Sequence, residues 1–318
     1  LLTPQEGVKV KTKDLLSVAD LSAVEARKII AQALKMKRGP VPQLLSDKVL
    51  ALMFEKQSLR TRVSFEVAVH QLGGYCFYLS PDEVGLGKRE PVSDVAQVLS
   101  RYVDGIIART FSHQTLQILA RYSTVPVINA LSDLEHPCQA LADIMTIHEK
   151  KGKLKGLNLA FIGDGNNVAH SLLLAAAQMG INFHIASPPG YAVKDEILQA
   201  AKEFAARSGS QIRLTGEPER AVKDADVVYA DVWTSMGQEA EAEKRRRAFA
   251  GYQVDVRLLS LAKKDVIFMH PLPAHHGEEV AIGLLGNPCS VVFDQAENRL
   301  HLQKALLAEL FGKAGRTR

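Results

Sequence analysis

Two short segments concentrate side chains that can handle an anion and a carbonyl. In Phe54-Glu-Lys-Gln-Ser-Leu-Arg-Thr-Arg-Val63 an apolar run ends at Phe54 and an amphipathic pattern begins near Ser58. Backbone N–H groups at such a helix start point outward and favour negative charge. Ser58 and Thr61 add hydroxyl donors, and Arg60 can grip a phosphate through two parallel N–H bonds. The same residues also fit a capped helix start with exposed arginines, and the spacing is not that of a Walker loop. In Asn129-Ala-Leu-Ser-Asp-Leu-Glu-His-Pro-Cys-Gln-Ala140, Ser132 or Asp133 can cap a helix whose first turn holds Pro137. His136 and Gln139 then lie near one face at its opening. A histidine there can polarise a carbonyl and a glutamine can bond an amide, although a histidine at a helix start is more often a cap or structural partner.

Two later turns are candidates for holding a polar ligand. Gly163-Asp-Gly-Asn-Asn167 follows an apolar run and opens a helical pattern. It lacks the third glycine of a dinucleotide fingerprint, since Val168 follows where that glycine would stand, and this disfavours a nicotinamide enzyme. Asp231-Val-Trp-Thr-Ser-Met-Gly237 follows another apolar run.

These segments sit in a chain of 318 residues, enough for two compact domains. Strand-like runs at Val49–Phe54, Tyr75–Leu79, Gly105–Ala108 and Val125–Ile128 alternate with helical patterns at Arg62–Leu72, Val92–Tyr102 and Gln114–Tyr122. The alternation predicts an α/β fold, a parallel sheet with helices on both faces. The charged, Gly-punctuated stretch Lys151–Gly156 marks a boundary, after which the pattern restarts with strands at Leu157–Ile162, Asn182–Ala186, Asp226–Ala230 and Val266–Met269. A strand at Val291–Phe293 and a helix at Arg299–Phe311 close the chain. The expected domains are 1–150, 151–290 and a C-terminal segment 291–318, with small ligands in the cleft between the first two.

Composition narrows the class. A net charge of +4 with mixed acids and bases argues against nucleic acid as a partner. The run Lys244–Arg247 lies among Glu239, Glu241 and Glu243 and reads as a solvated helix face. No apolar run reaches the ~20 residues of a membrane span, and the N-terminus lacks a secretory-signal pattern. Three scattered cysteines form no disulfide framework or zinc pattern, so a reducing, cytoplasmic setting is expected.

Ser58-Leu-Arg-Thr-Arg62 followed by His136-Pro-Cys-Gln139 resembles the carbamoyl-phosphate site of the aspartate and ornithine carbamoyltransferases. The likeness runs from Lys13-Asp-Leu-Leu16 to Phe293-Asp-Gln-Ala-Glu-Asn-Arg299. It implies that Ser58, Leu59 (through its N–H), Arg60, Thr61 and Arg109 hold carbamoyl phosphate. Thr61, Arg109 and His136 would polarise its carbonyl, Gln139 and the Leu272 carbonyl would orient its amide, and Arg299 would lie near the carbamoyl group. Asp231 to Gly237 resembles the D-x-x-x-S-M-G loop of the ornithine branch, Met236 included. Asn167 would then hold the α-carboxylate end of ornithine, and Asp231 and Ser235 its α-amino group. A zwitterionic head needs this pairing of an anion with amide donors.

One motif departs from the ornithine branch. His270-Pro-Leu-Pro273 stands where His-Cys-Leu-Pro is usual, so the thiol beside the reacting amine is absent while the Pro271 and Leu272 carbonyls remain. The resemblance implies transfer of a carbamoyl group to the δ-amine of ornithine without metal or cofactor, by a homotrimer or a multiple of it. The Glu83–Glu90 loop is the candidate for reaching a neighbouring site. The alternatives are a carbamoyltransferase for putrescine or an acylated ornithine, and a catalytically silent binding homologue.

Overall fold

The computed structural model describes residues 10–87, 89–235, 237 and 239–312. The chain divides into two compact units, Leu1–Met145 with Glu297–Arg318, and Thr146–Ala296. The compact units divide inside helices, between Met145 and Thr146 and between Ala296 and Glu297. A Gly-Lys stretch marks a turn, and here it only links the end of one helix to the next strand.

In the first unit, β1 (Val49–Phe54), β2 (Tyr75–Leu79), β3 (Gly105–Arg109) and β4 (Val127–Leu131) form a parallel sheet in the order β2-β1-β3-β4. β4 begins at Val127 because Pro126 has no N–H to give to a ladder. Leu15 lies parallel to Ile128, so the Lys13–Leu16 segment extends this edge. The helices are α1 (Ala23–Arg38), α2 (Leu59–Gln71), α3 (Pro81–Val84), α4 (Val92–Tyr102), α5 (His113–Tyr122) and the start of α6 (Pro137–Lys151). Capping sets several of the starts: Ser22 and Glu25 form a reciprocal capping box at α1, and Ser58 and Ser112 cap α2 and α5. β1 and β3 are buried almost throughout, as a sheet covered on both faces requires. Met53, Ile106 and Ala108 share one core with Ala96, Leu116 and Leu119. Within the Glu83–Glu90 stretch, Val84 and Leu86 belong to the same core, and Lys88 lies outside the described residues.

In the second unit, β5 (Asn158–Ile162), β6 (Asn182–Ala186), β7 (Ile212–Thr215), β8 (Val227–Ala230) and β9 (Ile267–Met269) form a parallel sheet ordered β7-β6-β5-β8-β9. Its helices are α7 (Asn167–Met179), α8 (Asp195–Ser208), α9 (Pro218–Val222), α10 (Ala242–Ala248) and α11 (Val256–Leu259). The long final helix α12 (Val292–Phe311) begins here. The expected strand at Val291–Phe293 is absent. Val292 already opens α12, Phe293 is exposed, and the nearest sheet contact is a lone bridge from Phe268 to Ser290. Three apolar residues were too short a run to separate strand from helix.

The later part of α12 belongs to the first unit. Lys28 pairs with Glu309 at 2.7 Å, Lys304 donates to Gln71, and the Phe311 ring lies so close to Gly105 that a Cβ there would stand 2.5 Å from it. Arg299 is therefore delivered by a helix interior rather than a helix start. No helix among the described residues is long and apolar enough to cross a membrane.

Both sheets place their strand-order reversal where the sequence put its chemistry. In the first, the chain leaves β1 toward β2 and β3 toward β4, so the loops after β1 and β3 diverge at the sheet centre. In the second, the loops after β5 and β8 do the same. Ligands of open parallel sheets bind outside the carboxyl ends of the strands at such points.

Candidate active site

Three elements of the first unit, α2, β3 and α12, converge on Thr61. Ser58 is the N-cap of α2, and its oxygen accepts from the Thr61 N–H at 3.4 Å while the hydroxyl proton remains to donate. Leu59 is 76% exposed, which leaves its first-turn N–H as its useful group. Thr61 is fully buried, and its Oγ1 accepts from Arg299 Nη2 at 2.8 Å and from Arg109 Nη1 at 3.5 Å. Arg109 ends β3 opposite Phe54 of β1 and Leu131 of β4. Arg60 is half-buried, whereas Arg62 turns away to pair with Glu66 over the Tyr78 ring.

Burial, with the like charges of Arg299 and Arg60 close by, pushes the Arg109 pKa down to about 10. Burial lowers Arg60 as well. His136, just before α6, is held well below its usual pKa by burial and by Arg299 and Arg109, so it is neutral at pH 7. A neutral imidazole still donates one N–H to an oxygen. The Gln139 amide nitrogen donates to Asp143 Oδ1 at 2.8 Å, which leaves its Oε1 buried and unbonded among the described residues. Arg109 Nε is likewise buried and unbonded. Arg109 Nε is an orphaned donor and Gln139 Oε1 an orphaned acceptor, which a ligand carrying both anionic oxygens and an NH2 could satisfy. Ser132 does not cap α6 as expected. Its oxygen accepts from the Leu134 and Glu135 N–H groups, and Asp133 accepts from His113 N–H. Burial raises the Cys138 thiol to about 12, so it is not a nucleophile.

In the second unit the turn after β5 meets the loop after β8. Gly165 is obligatory, because a Cβ would stand 2.3 Å from Val193 N and 2.4 Å from the Ala192 carbonyl carbon. Asn166 caps α7 by accepting from Val168 and Ala169 N–H, and its Nδ2 donates to Asp231 Oδ2 at 2.8 Å. Asn167 is the first residue of α7 and half-buried. Burial raises the Asp231 carboxyl. Ser235 is half-buried, and Met236 lies outside the described residues.

The reading of Lys244–Arg247 as a solvated face fails at Arg245. Only 6% exposed, it donates to Asp164 Oδ2 at 2.7 Å and to the Trp233 carbonyl at 2.9 Å. It thus joins the Gly163–Asn167 turn to the Asp231–Gly237 loop. Burial opposes its charge, and the Asp164 and Glu241 carboxylates together more than offset this. Its neighbours Arg246 and Arg247 do sit in exposed pairs with Glu243.

After β9, Pro271 and Leu272 are half-buried and Leu272 has a left-handed φ of 55°. His275, Glu278 and Glu279 lie as close as metal ligands would. Glu279 Oε1 faces His270 Nε2 and accepts from the His275 N–H, and Glu278 pairs with Arg246, while Glu279 Oε2 is buried without a hydrogen-bond partner among the described residues.

Family models match both halves: "Aspartate/ornithine carbamoyltransferase, carbamoyl-P binding domain" over residues 13–149 and "Aspartate/ornithine carbamoyltransferase, Asp/Orn binding domain" over residues 155–310. The chain belongs to the aspartate/ornithine carbamoyltransferase family. It is 54% identical to the ornithine carbamoyltransferase of Bacillus subtilis over 95% of its own length and 94% of that protein. The anabolic ornithine carbamoyltransferase of Pyrococcus furiosus is 51% identical over 96% of this chain and 98% of its own. A solved structure of ornithine carbamoyltransferase from Pyrococcus furiosus superposes with a TM-score of 0.93 at 51% identity, covering 97% of this chain and all of the other. The anabolic enzyme from Campylobacter jejuni superposes at 0.91 with 42% identity, covering 94% of this chain and 99% of its own. Family membership accounts for the two parallel sheets.

Sequence reasoning missed Asn166, Asp164, Arg245 and Glu279. Asn166 was the findable one, since an Asn at a predicted helix start is a ready cap. Arg245 was hidden by a charged neighbourhood that carries no sign of burial.

Proposed function

We propose that this protein transfers the carbamoyl group of carbamoyl phosphate to the δ-amine of L-ornithine, giving L-citrulline and phosphate for arginine biosynthesis. The observation that carries the reading is the buried cluster of Arg109 and Arg299 on Thr61, in a chain about half identical to ornithine carbamoyltransferases over nearly its whole length. The Ser58 hydroxyl, the Leu59 N–H, Arg60, Thr61 and Arg109 receive the phosphate. Arg109, neutral His136, Thr61 and Arg299 stabilise negative charge as it develops on the carbamoyl oxygen. The Gln139 Oε1 accepts from the carbamoyl NH2. Asp231 and Ser235 take the α-ammonium of ornithine, Asn167 its carboxylate, and Met236 the stem. The Pro271 and Leu272 carbonyls accept N–H bonds from the reacting nitrogens.

The δ-amine reacts in its neutral form. Its lone pair forms the C–N bond, the tetrahedral intermediate expels phosphate, and the amine proton leaves with it. The leaving group is already activated, so orientation and charge stabilisation suffice without a thiol, metal or cofactor. The reading extends to a homotrimer or a multiple of it, as the family resemblance implies, and to the cytoplasm. The free cysteines among the described residues are in keeping with a reducing compartment.

The test is citrulline formation with a panel of amines. Ornithine should exceed putrescine, N-acetylornithine and aspartate by at least ~100-fold in kcat/KM, because a site built for a charged head leaves buried groups unpaired without it. Equal turnover of putrescine would mean that Asp231, Ser235 and Asn167 do not hold an amino-acid head.

A further inference from the structure

We infer that Glu279 is a positioning residue for the strand-end loop after β9, acting through His270 on the backbone of Leu272. The inference rests on the proposed use of the Leu272 and Pro271 carbonyls, and it adds a group that touches no substrate. Pro271 has no N–H and cannot anchor itself by donating, so the loop must be held by its neighbours. The Leu272 N–H donates to His270 Nδ1 at 3.0 Å. Because Nδ1 accepts, the ring proton sits on Nε2, which faces Glu279 Oε1 at 3.2 Å. The same carboxylate oxygen accepts from the His275 N–H at 2.6 Å, so Glu279 ties the loop at both ends. His270 and Glu279 are both fully buried.

The arrangement is needed because Leu272 adopts a left-handed backbone, with φ of 55°, that residues bearing a Cβ avoid. Such a conformation persists only where its surroundings fix it. The tautomer of His270 is part of that fixing. A ring protonated on Nδ1 would meet the Leu272 N–H donor to donor and release the residue. Glu279 selects the other tautomer, as carboxylates do for histidines in metal and triad sites. From the opposite side, the His270 N–H donates to Gln295 Oε1 at 2.8 Å, and Gln295 Nε2 donates to the Tyr229 hydroxyl at 3.2 Å. Tyr229 stacks on Phe161 of β5 with centroids 5.4 Å apart. The loop that carries the two carbonyls is thereby referred to the centre of its own sheet.

Glu279→Gln and Glu279→Leu separate this role from simple packing. The glutamine keeps an oxygen that accepts both bonds, whereas leucine fills the space without one. Nitrogen-15 spectra of histidine-labelled protein report the tautomer, with the His270 signal assigned by its loss in His270→Asn. Wild type and Glu279→Gln should show His270 protonated on Nε2, and Glu279→Leu should show a mixture or the Nδ1–H form. Kinetically, Glu279→Leu should lower kcat by about 30- to 100-fold, with the Kd for inorganic phosphate within about twofold of wild type. Glu279→Gln should recover most of the loss. The inference is overturned if Glu279→Leu keeps kcat within about threefold, if His270 keeps its Nε2 proton in that variant, or if Glu279→Gln is as impaired as Glu279→Leu. A wild type that carbamoylates no amine at all would instead defeat the proposed function, and the tautomer spectra would still decide whether Glu279 sets His270.

Discussion

Replacing Arg109 with Met should leave a protein that melts higher without ligand and barely turns over. Methionine matches much of the arginine stem and adapts to irregular apolar space. Arg109 is 7% exposed, and burial with the Arg299 and Arg60 charges brings its pKa down to about 10. At ~1.4 kcal/mol per pKa unit, its charged form is disfavoured in the folded chain by about 3 kcal/mol. The folded state holds this proton less tightly than the unfolded one. The penalty is therefore present in full at neutral pH and is relieved only as pH rises above about 10. The bond lost to Thr61 is long, at 3.5 Å, and returns little of that. Removing the charge should raise stability by about 1–3 kcal/mol, or about 2–8 °C in Tm for a chain of this size. The same change removes a charge-assisted grip on the phosphate and should cut kcat/KM by about 10³. Calorimetry with and without inorganic phosphate, beside citrulline kinetics, reads both effects. Phosphate should raise the Tm of wild type and hardly move that of the variant, since only ligand bound to the folded state stabilises it. An Arg109→Met protein that melts lower than wild type and still shifts with phosphate would refute the reasoning.

Three further outcomes follow from the same geometry. Asp231→Asn should raise KM for ornithine by about 100-fold and leave phosphate binding unchanged, measured by titration calorimetry for each ligand. Arg245→Met breaks a buried pair with Asp164, so it should cost about 3 kcal/mol in urea unfolding and raise KM for ornithine by loosening the Trp233 segment. Below about pH 6.5 the unfolded chain takes up a proton that folded His136 refuses, so stability should fall with pH by about 1.4 kcal/mol per unit on its account; His136→Gln should be flatter by that slope in urea unfolding at pH 5, 6 and 7.

The parallel sheets could be read from the sequence because their strands are continuous apolar runs, such as Val49–Phe54, alternating with helical periods. Edge and boundary positions were harder. β7 was not foreseen, since its Arg213 and Leu214 are exposed and its pattern carries little hydrophobic signal. Val291–Phe293 is apolar and β-branched, yet α12 claims it once Gln295 and Tyr229 tie that helix to the sheet. Chemistry that is local in the chain was visible: Ser58, Arg60 and Thr61 share one helix start, and His136 and Gln139 another. Chemistry made by distant segments was not visible from the residues alone. Arg299 reaches Thr61 across most of the chain, and family resemblance, not spacing, pointed to it. The Asp164–Arg245 pair and the His270–Glu279 contact exist only once the second sheet has formed.

The central claim is that ornithine is the acceptor of a carbamoyl group delivered from carbamoyl phosphate. A single competition experiment tests it most directly: carbon-13-labelled carbamoyl phosphate, purified protein, and equal concentrations of ornithine, putrescine, N-acetylornithine and aspartate, with products resolved by NMR. The account predicts labelled citrulline as nearly the whole of the enzymatic product, and its loss in Arg109→Met. Label appearing chiefly in another amine, or no enzymatic product beyond spontaneous decomposition, would contradict it.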